Sequence, residues 1–409
     1  MMWELIKANR RKSFILFLFM GMVLILLGYA IGKAYIPNGG EYVGIFFALI
    51  LWTILSLVSY FSGSSILLNI SKAKEVTPEV HQQLYNVVEE MKIAANLPKM
   101  PKIFIIDEEA PNAFATGIKP ENSAVTVTAG LLSRLNRDEL QGVIGHEISH
   151  IANRDILLMT FAGIMLGSIV LISEIFLRSL WFTGGSRYRS RSRDSGQGQM
   201  IMMVIAIAFA ILAPIFAQLL YFAISRRREY LADASSARLT RYPEGLASAL
   251  EKISNNTADL SVANKVTAPM YIVNPIKQKG MKLSDLTSTH PPISERVKIL
   301  RTMAGGANFL NYQTAFNTIK GKNTNLIPGS GLSDNEKIEI RKPGSDVKSK
   351  NATEQKRTLG DLMMTLNNFI FLTCACGLKL KIPPHYHKSS IICPRCGRTN
   401  NIPEQARKS

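Results

Sequence analysis

Four apolar runs decide what this chain can fold into. Residues 13–35 (SFILFLFMGMVLILLGYAIGKAY) and 42–63 (YVGIFFALILWTILSLVSYFSG) are nearly free of charge and long enough to cross the roughly 30 Å hydrocarbon layer of a bilayer. Runs 156–177 and 200–224 have similar length. A soluble core seldom needs four such helices, so a multi-pass membrane protein is expected. Glu174, Pro214 and Gln218 interrupt the second pair, which leaves a protein-packed or partly interfacial path open beside full crossing. The first run follows the basic start MMWELIKANRRK, as in a signal peptide, but it is too long and no small-residue cleavage site follows. It should therefore remain as an anchor.

The charge distribution sets an orientation. Lys7, Arg10, Arg11 and Lys12 precede the first run, the connector IPNGGE has no Lys or Arg, and Lys72 and Lys74 follow the second run. Basic flanks stay inside, so both polar ends should face the cytoplasm, in the cell's inner membrane. One segment opposes this: the connector between the third and fourth runs holds Arg178, Arg187, Arg189, Arg191 and Arg193, and lies outside if that hairpin spans. The net charge of +18 over 409 residues suits anionic lipid headgroups. No stretch interleaves aromatic with basic residues, so no nucleic-acid partner is expected.

Between the second and third runs stands GHEISHIANRD, at 145–155. The chain has six histidines, and two of them, His146 and His150, lie four apart with Glu147 between. On a helix that spacing puts both imidazoles on one face, where they can share one Zn²⁺ while Glu147 reaches a water beside it. Asn136 and Glu139 form the capping pair expected to start such a helix. Upstream, Val80, Leu84, Val87, Val88 and Met91 predict an amphipathic helix, with His81 on its polar face and without a special role. PKIFIID and SAVTVTAG read as strands joined through the turn residues of NAFATGIKPEN.

A third protein ligand is available beyond the fourth run, in SRRREYLADASSA. Glu229 can supply an anionic donor, and Asp233, one turn on, can fix the tautomer of a ligating histidine. Three protein ligands leave one position open, the mark of a catalytic zinc. Glu147 would then move the proton of the attacking water. The alternatives are an ion pair of Glu229 with Arg226 or Arg228, and a surface or capping role for Asp233. The constellation closes only if the third and fourth runs form a hairpin that returns the chain to its starting side.

HEISHIANRD, SRRREYLADASSA and THPPISERV together resemble the membrane zinc metalloproteases of the HtpX type, relatives of the CAAX prenyl proteases with a gluzincin pattern. The likeness covers roughly residues 1–302. It implies an endopeptidase acting on misfolded or surplus membrane proteins at the cytoplasmic face, with His146, His150 and Glu229 as zinc ligands and Glu147 as base. Asn112, in APNAFATG, matches the family's asparagine near a substrate-binding edge strand, where a peptide can pair in extended form. For His290, in THPPISERV, two readings stand: an oxyanion donor held by the proline turn, or part of a segment that docks the last helix.

The polar stretch 319–358 reads as a flexible linker. Beyond it lie all four cysteines of the chain, Cys374 with Cys376 and Cys393 with Cys396, each pair closed by a glycine. This resembles a zinc ribbon; the alternatives are a set of free or redox-active thiols, or a site in which His385 or His387 replaces one sulfur. The expectation is thus a mainly α membrane protein with an N-terminal hairpin (1–70), a gluzincin-like α+β metalloprotease domain (71–318, containing the apolar hairpin 156–224), the linker, and a zinc-ribbon-like module (359–409) with an open choice of partner. One catalytic and one structural Zn²⁺ are implied, with protein or peptide substrates and the lipid bilayer as partners. The rival readings are a non-catalytic membrane adaptor, which would have no use for Glu147, and a prenyl-protein processing protease, whose relatives usually have more spans.

Overall fold

The computed structural model describes residues 2–36, 38–183, 196–256, 260, 270–273, 291–303, 305–321, 324–332, 338–344, 351–386 and 388–402. Helices α1 (Met2–Tyr35) and α2 (Gly40–Ile70) form a hairpin turned at Gly39, whose φ of 81° is left-handed. Their backbones meet at glycines: a methyl group on Gly28 would stand 2.6 Å from the carbonyl oxygen of Gly44. Small residues permit this approach, and dispersion between the two helices follows from it.

A sheet comes next. β1 (Lys74–Glu75), β2 (Lys102–Ile106), β3 (Ala113–Lys119) and β4 (Asn122–Thr128) lie in the order β1-β2-β4-β3, with β2 and β4 parallel and the other pairs antiparallel. Helix α3 (Gln82–Ala94) separates β1 from β2. It buries Leu84, Val87, Val88 and Met91, the stripe its sequence predicts, and His81 caps it by accepting the Leu84 N–H. The segment expected to be turn residues is mostly strand: Ala113–Lys119 pairs with β4, and only Pro120 and Glu121 turn the chain. Buried alanines at 113 and 115 gave too little apolar signal to mark it.

From β4 the chain enters α4 (Ala129–Arg134) and then α5 (Arg137–Ala152). Asn136 and Glu139 close the expected capping box, each side chain accepting the other's backbone N–H at 2.9 Å. α5 is buried almost throughout, and Gly142 lets α8 (Pro243–Ser254) pass, since a Cβ there would meet the Leu246 nitrogen at 2.5 Å. After a left-handed Arg154 (φ 57°) the chain runs directly into α6 (Ile156–Thr183). α7 (Gly196–Thr240) is one 45-residue helix with Pro214 inside it. Among the described residues four helices are long and apolar enough to cross a membrane, over Ser13–Tyr35, Gly40–Ile70, Met159–Leu180 and Met200–Ala217. Phe46, Phe47, Phe61, Leu171, Ile175 and Val204 on these helices face outward, as a lipid-contacting surface requires.

α9 (Ile293–Arg301) and α10 (Phe309–Lys320) complete the core with α3, α5 and α8, and the single turn α11 (Gly329–Leu332) follows. Two stretches of the 319–358 span are placed against this domain. The Arg341 guanidinium donates to Asp138 and Gln141 of α5 at 2.7 Å, and α12 (Ala352–Leu366) starts at a capping box and packs on α4. A polar segment can dock through charges as well as through apolar area, which hydropathy does not register. The C-terminal module consists of two hairpins, β5 (Ile370–Thr373) with β6 (Lys379–Ile382) and β7 (Ser390–Ile392) with β8 (Thr399–Asn401). Asp361 of α12 holds Lys379 at 3.2 Å and Lys381 at 2.9 Å, which ties the hairpins to α12, the helix that packs on α4.

Candidate metal centre and active site

Two helices supply the donors. α5 presents His146, Glu147 and His150 from consecutive turns, and α7 brings Glu229 to them after its apolar stretch, so one continuous helix carries both the fourth span and the third donor. The imidazole Nε2 atoms of His146 and His150 lie 3.2 Å apart, and each is 3.5 Å from a carboxylate oxygen of Glu229. Donors at about 2.0–2.1 Å from a tetrahedral zinc are separated by roughly 3.4 Å, so this triangle has the size such an ion requires. All three donor residues are buried, as is Glu147. The third and fourth runs do return the chain to its starting side.

The other ring nitrogens are also committed. His146 Nδ1 lies 3.0 Å from Asp233 Oδ1, and His150 Nδ1 lies 3.4 Å from Asp155 Oδ2. A carboxylate on each Nδ1 fixes the tautomer that leaves Nε2 free for a metal. Asp233 is held in turn by the fully buried Arg296 of α9, which donates from Nε at 2.8 Å and from Nη2 at 2.6 Å, and whose Nη1 donates to the Ile272 carbonyl at 3.2 Å. That guanidinium stands 3.6 Å from Glu229 as well. Arg228, weighed as a partner for Glu229, lies 3.7 Å from Asp155.

These contacts set the charges. Burial works against a charged His146, but the hydrogen bonds it donates to the Asp233 and Glu229 carboxylates outweigh it and raise the imidazole to about 9. A proton and a metal ion therefore compete for the same nitrogen. Burial also disfavours an ionised Asp233, yet the Arg296 charge prevails and holds it below the usual carboxylate range. Glu147 is raised by burial, against the pull of His146 and His150. A carboxylate with raised proton affinity beside a metal pocket is suited to accept a proton.

Arg296 and Asp155 are the residues that sequence reasoning missed. Both lie inside motifs already singled out, THPPISERV and GHEISHIANRD. Asn112 is buried at the start of β3: its amide donates to the Val273 carbonyl at 2.8 Å and its oxygen accepts the Ala113 N–H at 3.1 Å. It shapes the end of the edge strand by clamping 271–273 beside it. His290 lies outside the described residues, while Pro292 stands at the N-cap of α9.

The cysteines form a second cluster. Cys374 and Cys396 sulfurs are 3.6 Å apart, Cys376 and Cys393 sulfurs 3.7 Å, and all four are free. Tetrahedral zinc with bonds of about 2.3 Å spaces its thiolates by about 3.8 Å. The Cys376 backbone N–H lowers the Cys374 thiol to about 6, which favours the thiolate a metal needs. His385 is exposed and outside this cluster, and His387 lies outside the described residues.

A buried His-His-Glu triangle with a glutamate on the histidine helix, carried by a bundle of apolar helices, defines a membrane zinc metalloprotease. The chain belongs to peptidase family M48, whose family profile matches residues 78–304. It is 46% identical over 301 residues to a protease HtpX homolog of Dictyoglomus turgidum, covering 74% of this chain and 94% of that one. A second HtpX homolog, from Streptococcus uberis, is 42% identical and covers 74% of this chain and all of its own length (100%). The crystal structure of S. mikatae Ste24p aligns at 20% identity and a TM-score of 0.37, over 73% of this chain and 66% of that one.

Proposed function

We propose that this metalloprotease is a zinc endopeptidase of the cytoplasmic face that degrades misfolded or surplus membrane proteins. The donor triangle with Glu147 beside it carries the chemistry of this reading. His146, His150 and Glu229 hold the ion. Zinc bound there would polarise the scissile carbonyl and make water a better nucleophile at neutral pH. Glu147 takes a proton as the water oxygen attacks the carbonyl carbon, and returns it to the leaving nitrogen as the C–N bond breaks. Asp233 and Asp155 keep both imidazoles in register, and Arg296 keeps Asp233 charged.

The substrate backbone aligns along the outer strand β3, downstream of the point where Asn112 and Ala113 hold residues 271–273 against it. The four cysteines hold a second zinc. Basic residues at both flanks of the first hairpin support the cytoplasmic orientation, and the bilayer-embedded scaffold supports membrane proteins as substrates. The test is turnover of casein by the purified chain beside its Glu147→Gln form, with zinc measured in both. Both should hold metal and only the parent should cut. Equal cleavage by both, or no cleavage by either with metal in place, would sink the assignment.

A further inference from the structure

Away from the donor triangle, a cavity of about 510 Å³ opens where α1, α2, the end of β3 and the start of α6 converge. That is within the range of roughly 300–1,000 Å³ typical of sites for small organic ligands. Its apolar wall comes from Phe14, Phe17, Leu57 and Phe161, all inside candidate membrane spans. Its polar rim comes from outside the spans: Lys119 ends β3, and Arg154 is the left-handed residue between α5 and α6. The cavity therefore straddles the level at which hydrocarbon gives way to headgroups. Tyr60 and Ser13 also line it, and amphipathic or hydroxyl side chains suit that boundary.

Charge selects the occupant. Among the described residues neither Lys119 nor Arg154 has an acidic partner, and both are exposed. Two unneutralised cations above an apolar slot match a molecule with an anionic head and a hydrocarbon tail. Lys7 and Arg11, exposed on the first turns of α1, add positive potential at the same end of the helix. We infer that this cavity binds one anionic phospholipid, its phosphate held between Lys119 and Arg154 and one acyl chain lying against Phe14, Phe17, Leu57 and Phe161.

The location has a further consequence. Ser13, which lines the cavity, accepts a hydrogen bond from Arg228 Nη2 at 3.1 Å; Arg228 lies 3.7 Å from Asp155, and Asp155 lies 3.4 Å from His150. A lipid in the cavity thus abuts a chain of contacts that ends on a donor of the metal centre.

The test uses the full-length protein purified in mild detergent, titrated with phosphatidylglycerol or with phosphatidylcholine of identical chains, and counts retained lipid by native mass spectrometry. One phosphatidylglycerol should be retained per chain. The preference over phosphatidylcholine should fall on the order of 5-fold for each basic residue removed, in Lys119→Gln and in Arg154→Asn, the second chosen because asparagine tolerates a left-handed backbone. Ser56→Phe, which narrows the slot, should expel both lipids. Zinc content of each variant reports folding, and if Arg154→Asn does not fold, Lys119→Gln at its exposed strand end carries the test. Equal retention of the two lipids by the parent, or an unchanged preference in the folded variants, overturns the proposal. So does release of the bound lipid by millimolar inorganic phosphate, which would mark a site for the free anion, or by an apolar transmembrane peptide irrespective of charge, which would assign the cavity to substrate.

Discussion

The two metal-competent clusters of this chain are built on opposite plans. His146, His150 and Glu229 come from two long helices whose Ile144, Ile148, Leu231 and Ala234 belong to an extensive buried core, and their orientation is fixed by Asp233, Asp155 and Arg296. The four cysteines come from two short hairpins, and their cluster buries little beyond Cys374, Leu380 and Cys393. In the first, the protein holds the shape of the site, and under the proposed function a metal adds reactivity. In the second, a metal would have to supply the shape, because so small a core cannot offset the entropy of ordering the module. Three donors with a buried base suit a reactive centre, whereas four thiolates suit a structural one.

The sharpest way to break this contrast is to remove ligands from the weaker core. Cys393→Ser combined with Cys396→Ser should lower the zinc content from about two per chain to about one and leave residues 369–402 open to limited proteolysis. Casein turnover should persist, since the catalytic donors belong to a separate core. If the module resists proteolysis without its thiols, its order does not depend on metal and the contrast fails.

Next in size is the loss of chemistry without loss of metal. Glu147→Gln keeps the volume and the helix but cannot accept a proton, so turnover should fall by about 10²–10⁴-fold at unchanged zinc content. A smaller loss would mean that another group shares the proton transfer.

What could be seen in the sequence differs between the clusters for a physical reason. Local spacing alone puts His146 and His150 on one face, and Cys374 with Cys376 on one turn, so both motifs were legible. Glu229 and Asp233 were reachable because an apolar hairpin had to bring the chain back. Arg296 was not, although its motif was singled out: it contacts Asp233 only through the packing of α9 on α7 and α8, and no spacing rule specifies which residue of a short amphipathic helix turns inward as a buried cation. Asp155 was missed because it acts just past the end of the helix, where its own N–H donates to the His150 carbonyl while its side chain turns to the same residue's ring. β3 was hidden by its alanines and glycine, since its burial comes from neighbours rather than from its own hydrophobicity.

The outer shell of the reactive centre offers a graded test. Asp233→Asn removes the charge that faces both His146 and Arg296, and should weaken zinc affinity by about 10–100-fold as read by competition with a chelator. Asp155→Asn should cost less, because its contact to His150 is longer, at 3.4 Å against 3.0 Å. Reversal of that order would show that the network around Arg296 is not what aligns the donors.

The smallest effect concerns the joint between the two regions. Burial is the largest single influence and raises the Asp361 carboxyl, but hydrogen bonds donated by Lys381 and Lys379, together with their charges, prevail and lower it. A carboxylate whose folded value is depressed contributes stability above its unfolded value of about 3.9 and loses it as pH falls through the lower folded one. The lysines are 40% exposed, so solvent screens the pair and the contribution should stay below about 1 kcal/mol. Asp361→Asn should therefore leave zinc content and turnover unchanged at neutral pH while speeding amide exchange in β6 and at the C-terminal end of α12. Parent and variant should begin to approach each other below about pH 3.9 and converge only once the pH has fallen through the lower folded value, where the parent's carboxylate is protonated in the folded state as well. Exchange rates that already match at neutral pH would mean that apolar packing of α12 on α4 holds the joint by itself.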